Sequence, residues 1–200
     1  TPLVDIGWGN FQDFNPVPIA APICKYSRMI DAPERVSQIV HEAFTAATSG
    51  RPGPVHLSLP MDVASTEVDR SRIPRSRVRS GTVRMIGQAE PEPLQQVAAL
   101  LKDAKRPLLV AGSGIYYSRG EDALSRLIAQ QLIPTVIPIW DRGCIPQPHE
   151  SFLGVLGAAS GGPRLLPDAD LILMVGAEFD YRLEQISPPA IREDARIVRI

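Results

Sequence analysis

Four short segments constrain the fold more than anything else in this chain. Leu108–Ala111, Ile133–Ile137, Leu171–Val175 and Ile197–Ile200 lack the alternation of apolar and polar residues that marks a strand with one wet face. Between them lie stretches with helical spacing: Leu94, Val97, Ala98 and Leu101, then Leu124, Leu127 and Ile128. Strands apolar on both faces and separated by helices predict a parallel sheet covered by helices on both faces, a Rossmann-like α/β domain. The last segment runs to the end of the chain at Ile200, and Thr1 is not an initiator Met. Both ends suggest a piece of something longer.

The first third reads differently. Asn15-Pro16-Val17-Pro18 and Ala21-Pro22 predict extended or turn backbone, because proline removes a donor and restricts its predecessor. Asp31-Ala32-Pro33-Glu34 reads as a capped helix start. Val36, Ile39, Val40, Ala43, Phe44 and Ala47 then form one apolar stripe, which Gly50 ends. Val55, Leu57 and Leu59 alternate with His56 and Ser58 as a short strand. Beyond Met61 the period disappears, and Arg70, Arg72, Arg75, Arg77, Arg79 and Arg84 sit among Ser, Pro and Gly. A solvated linker is the expectation there. The predicted organisation is the end of one α/β domain over 1–62, a linker over 63–92 and a second domain over 93–200.

Charge and composition exclude several functions. With 21 Lys+Arg against 22 Asp+Glu there is no basic field for nucleic acid. No apolar run approaches the ~18 residues of a membrane span. Two cysteines, Cys24 and Cys144, make neither a disulfide framework nor a four-ligand zinc site, and they point to a reducing, cytoplasmic setting. His41, His56 and His149 have no nucleophile or carboxylate at motif spacing and read as structural. No metal-ligand spacing is present.

Loops after strands are where such a sheet meets ligands. Gly112-Ser113-Gly114 follows the first strand, and glycines let a phosphate approach backbone N–H groups. Tyr117 stands where a dinucleotide pattern would have its third glycine, so a plain strand-to-helix turn competes with a phosphate site. Gly176-Ala177-Glu178-Phe179-Asp180-Tyr181-Arg182 follows the third strand. There Asp180 and Arg182 either hold a ribose and a phosphate or pair with each other. Gly154, Gly157 and Gly161-Gly162 form a third glycine-bearing stretch, and Asp141-Arg142 reads as a local ion pair.

Longer runs carry a resemblance. Phe11-Gln12, Ala21-Pro22-Ile23-Cys24-Lys25 and the run Ser49-Gly50-Arg51-Pro52-Gly53-Pro54-Val55-His56-Leu57-Ser58-Leu59-Pro60-Met61-Asp62-Val63 resemble thiamine diphosphate-dependent enzymes of the acetolactate synthase, benzaldehyde lyase and 2-hydroxyacyl-CoA lyase type. Arg106–Gly114, Asp141-Arg142-Gly143-Cys144-Ile145-Pro146 with His149, and Ala169–Ala177 with Phe179-Asp180 and Arg182 resemble the central domain of the same family.

The resemblance implies a carboligase or lyase acting on a 2-oxo acid, a 2-hydroxy ketone, an aldehyde or an acyl-CoA. It also implies thiamine diphosphate and Mg²⁺ held mostly outside this chain, and a homodimer or homotetramer. By the same resemblance Gln12, Phe11 and Lys25 line the substrate pocket. In the central domain Gly112, Ser113, Gly114, Gly157, Gly176, Ala177, Asp180 and Arg182 match positions around a crevice that holds FAD in some members, ADP in others and nothing in others. Glu178 stands where the synthases carry an arginine, which counts against FAD. The alternatives are a free-standing NAD-, ADP- or FAD-binding module without thiamine chemistry, and a central domain that is only a spacer.

Overall fold

The computed structural model describes residues 1–69, 71, 73, 89–141, 143–157, 161 and 164–200. The chain forms two compact units, Thr1–Met85 and Ile86–Ile200. The six linker arginines lie outside the described residues.

In the first unit α1 (Pro16–Ala20) precedes β1 (Tyr26–Met29), α2 (Val36–Thr48), β2 (Val55–Ser58) and α3 (Met61–Ser65). β1 and β2 pair in parallel, with Tyr26 opposite Val55, so β1–α2–β2 is one strand–helix–strand unit. Ile39 and Ala43 on the stripe of α2 are buried. Ile30, Ile39 and Val63 form a small core, against which Leu3, Tyr26, Val36 and Leu57 pack.

Two expectations need correction here. Asn15–Ala20 is not extended: Pro16 opens α1 with the Asn15 side chain as its cap, since a first-turn proline forfeits no helical hydrogen bond. Asp31 does not cap the next helix either. A 3-10 turn, Pro33–Arg35, precedes α2, and the Asp31 carboxylate accepts from Arg35 Nη1 at 2.7 Å. β1, with the polar sequence YSRM, has no apolar pattern by which to be read.

The second unit runs α4 (Pro91–Asp103), β3 (Pro107–Ala111), α5 (Ser113–Ser118), α6 (Glu121–Gln131), β4 (Thr135–Pro138), β5 (Phe152–Leu156), β6 (Leu171–Val175) and β7 (Arg196–Arg199). Val63–Ser65 and Pro91–Glu92, expected within the linker, thus belong to helices. The strands form one sheet in the order β5-β4-β3-β6-β7, and every pair in it is parallel. The chain starts at the centre, builds outward on one side, and returns to build the other. The switch therefore falls between β3 and β6, where open α/β sheets carry their ligands, outside the carboxyl ends of the strands.

Successive residues of β3 and β6 enter two cores, one on each face. Leu109, Ala111 and Leu173 pack with Ile115, Leu124 and Ile128 from α5 and α6, and with Val97 and Leu101 from α4. Leu108, Val110, Ile172 and Met174 pack on the other face with Leu166, Ala169, Leu183, Ile186 and Ile191. That second cover comes from two 3-10 turns, Leu166–Asp168 and Tyr181–Ile186, and the chain around them. Among the described residues, α-helices cover only the first face. β5 is a fifth strand where a glycine-bearing loop was expected. Its register against β4 slips between Thr135 and Val136, so Leu153 is the extra residue of a bulge.

Candidate functional site

The carboxyl edge of the second sheet gathers most of the predicted residues. Gly112 caps α5, and Gly176, at φ +63°, turns the chain after β6. The two turns lie against each other. A Cβ on Gly112 would run into the Gly176 carbonyl oxygen, and one on Gly176 would come within 2.7 Å of the Ile115 nitrogen. A Cβ on Gly114 would meet Gly176 Cα at 2.6 Å. These glycines admit neighbouring backbone. A Cβ on Gly157 would run into the Ile139 side chain.

The amides of the first turn are taken by protein partners. Gly112 N–H donates to Val175 O at 2.8 Å, and Gly114 N–H to Gly176 O at 2.9 Å. Ser113 N–H donates to Asp141 Oδ2 at 3.1 Å. These three amides already have protein acceptors, the arrangement of the plain strand-to-helix turn that the sequence left open beside a phosphate site.

Asp180 and Arg182 pair with each other. Asp180 caps the 3-10 turn by accepting Arg182 N–H at 2.9 Å, and Arg182 Nη2 reaches Asp180 Oδ2 at 2.8 Å. Arg182 Nη1 goes on to Asp141 Oδ1 at 2.6 Å and to the Ile139 carbonyl at 2.9 Å. The side chains of Arg182 and Asp141 are each only 9% exposed. Its hydrogen bonds to Asp180 and then to Asp141 hold the guanidinium even more firmly protonated than usual. Asp141 therefore pairs with Arg182, 41 residues away, while Arg142, its expected partner, lies outside the described residues. Nothing in the spacing of the sequence signals that contact. Glu178 accepts from Arg199 Nη2 at 2.9 Å, so its charge is balanced within the sheet edge. Around the cluster, Trp140 and Tyr181 are exposed, with ring centroids 6.4 Å apart.

In the first unit Phe11 and Gln12 share an exposed loop, Phe11 at 86% exposure and Gln12 at φ +60°. The loop is tied by Asp13, a residue the sequence did not single out. Its carboxylate accepts Gly7 N–H and Gly9 N–H, each at 2.8 Å, and these bonds, Gly7's first, pull its pKa down. Lys25 Nζ donates to the Ser49 and Arg51 carbonyls, so it clamps the loop between α2 and β2. The histidines have neighbours of their own: His41 Nε2 lies 3.4 Å from Thr45 Oγ1, His56 Nδ1 lies 3.0 Å from Ser27 Oγ, and His149 Nδ1 accepts from Ser151 N–H.

Cys144 is buried and Cys24 half-buried, both as free thiols. Burial pushes the Cys144 thiol up to about 11. Among the described residues no three His, Cys, Asp or Glu side chains gather as a metal site. Taken with the diphosphate-binding motifs that the resemblance puts beyond this chain, the residues present do not by themselves fit Mg²⁺–thiamine diphosphate. No described helix is long and apolar enough to cross a membrane.

The comparisons with known proteins agree on one family. Residues 94–200 match the model of the thiamine pyrophosphate enzyme central domain. The acetolactate synthase large subunit of Lactococcus lactis subsp. lactis is 33% identical over 199 residues, 98% of this chain and 34% of that protein. The 2-hydroxyacyl-CoA lyase 1 of Mus musculus is 27% identical over 192 residues, 96% of this chain and 32% of that protein. The X-ray structure of an enzyme from Mycobacterium smegmatis, assigned to the thiamin diphosphate-dependent enzymes, superposes with a TM-score of 0.74 at 24% identity, over 94% of this chain and 35% of that one. At that identity the likeness concerns the fold. The chain spans about a third of the length of the curated relatives it matches. With its parallel sheet and a central-domain match over more than half its residues, the chain belongs to the thiamine pyrophosphate enzymes.

Proposed function

We propose that this chain is the middle of a thiamine diphosphate-dependent carboligase or lyase that makes or breaks a carbon–carbon bond beside a carbonyl. The observation that carries the reading is the continuity of the match. Similarity to an acetolactate synthase covers 98% of the chain, so it takes in the first unit as well as the central domain. When bound, thiamine diphosphate supplies a carbanion-stabilising centre.

The first unit contributes to the substrate side. Phe11 and Gln12 stand on a loop whose shape Asp13 fixes. A glutamine there donates to or accepts from a substrate carbonyl or hydroxyl without exchanging a proton. Lys25 acts one step back, since its ammonium is held by two carbonyls. The substrates are 2-oxo acids, 2-hydroxy ketones, aldehydes or acyl-CoA thioesters. The protein works in the cytoplasm as a homodimer or homotetramer.

The test uses the intact protein of which this chain is part. It is incubated with thiamine diphosphate and Mg²⁺ and given, in turn, pyruvate, benzoin and a 2-hydroxyacyl-CoA. Formation of acetolactate, benzaldehyde or a shortened aldehyde supports the reading and selects the substrate class. Turnover of none of the three classes sinks it.

A further inference from the structure

At the switch between β3 and β6 one carboxylate, that of Asp141, takes both the Ser113 amide and the Arg182 guanidinium. Two kinds of donor make a phosphate site at such a place: a backbone amide in the turn after the first strand, and a guanidinium nearby. Both are present, as Ser113 N–H and Arg182, and both converge on one carboxylate. Asp141 Oδ2 takes the Ser113 amide at 3.1 Å, and Oδ1 takes Arg182 Nη1 at 2.6 Å.

Arg182 is held in that pose by Asp180 and by the Ile139 carbonyl. Among the described residues, the charged groups in contact are two carboxylates, Asp141 and Asp180, and one guanidinium, Arg182, an excess of one negative charge before any ligand arrives. A phosphate would add to that charge at a place where the Asp141 and Arg182 side chains are only 9% exposed and screening by water is weak. Glu178, whose position argued against FAD in the sequence, is balanced by Arg199 and does not carry this effect.

We propose that the Asp141 carboxylate is a built-in anion. It occupies the donors a nucleotide phosphate would use, so the second unit completes its fold without FAD, ADP or NAD.

The intact protein tests this by thermal unfolding of the wild type, Asp141→Ala and Asp141→Ala/Arg182→Gln. Each is measured with ADP, FAD or inorganic phosphate at 1 mM, and with chloride at matched ionic strength. The expected wild-type midpoint is the same in ADP, FAD, phosphate and chloride. Asp141→Ala unfolds roughly 5–15 °C lower. Phosphate or ADP then recovers part of that loss, and the double variant does not respond.

A wild-type midpoint raised by ADP or FAD overturns the proposal, as does an Asp141→Ala variant that matches the wild type. If that variant does not fold, equilibrium dialysis of ADP against the wild type decides, with retained ADP as the contrary result. Nucleotide binding by the wild type would leave the thiamine diphosphate reading standing, and missing carbon–carbon chemistry would leave this one standing.

Discussion

Arg182 illustrates what a residue type alone can and cannot convey. An arginine after a strand suggests an anion, and the anions are Asp141 and Asp180. That choice depends on a contact across 41 residues, which no local pattern encodes. Replacing Arg182 by Gln leaves the nearly buried Asp141 carboxylate, and the partly exposed Asp180 carboxylate beside it, without their cation. The expected loss is about 3 kcal/mol, read as a lower urea midpoint with an unchanged m-value. Lysine is not expected to rescue it, because one ammonium cannot reproduce the fork that spans Asp180, Asp141 and Ile139.

Cys144 gives a second residue-scale prediction. Burial raises its folded pKa to about 11, so the thiol stays neutral in the folded chain while an unfolded chain ionises near pH 8.5–9. The folded state therefore keeps its full stability below that pH and loses this contribution as pH rises toward about 11. Cys144→Ala is expected to show a shallower decline in stability across that window. In the folded wild type at pH 8, mass spectrometry after iodoacetamide treatment should find Cys24 alkylated and Cys144 untouched.

At the scale of elements, the central strands were legible because both of their faces are buried. Leu171–Val175 is a strand with the expected bounds, and the Leu108–Ala111 run lies within β3. The elements that escaped the sequence have physical reasons. β1 is polar along its length. β5 is an edge strand broken by a bulge and Gly154, so its apolar residues do not keep a period. α1 begins with proline, and proline is compatible with a first turn.

The glycine turns were visible in the sequence, but their use was not. Gly112 and Gly176 stand 64 positions apart in the chain and touch only once the sheet has formed. Gly176→Ala combines a left-handed backbone with a Cβ 2.7 Å from the Ile115 nitrogen. The expected cost is at least about 2 kcal/mol, seen in chemical unfolding as a loss far larger than that of Gly143→Ala, where a Cβ meets open space.

At the scale of the whole molecule, the second unit pairs Ser113, Asp141, Asp180 and Arg182 with one another at the carboxyl edge of its sheet, while the first unit exposes apolar residues. Trp8, Phe11, Ile23 and Phe44 are each more than half exposed. Composition was enough to exclude a broad basic field, and motif runs were enough to place the family. The role of each site residue depends on long-range contacts that spacing does not carry. Thiamine diphosphate dependence of the intact protein, as proposed above, is the point on which everything else turns. The most direct measurement is turnover of the intact protein after thiamine diphosphate and Mg²⁺ have been removed by dialysis against chelator, and again after both are restored. Carbon–carbon bond formation or cleavage is expected to disappear on removal and to return only when thiamine diphosphate is added back. Turnover that persists without it, in protein verified free of the cofactor, would contradict the account.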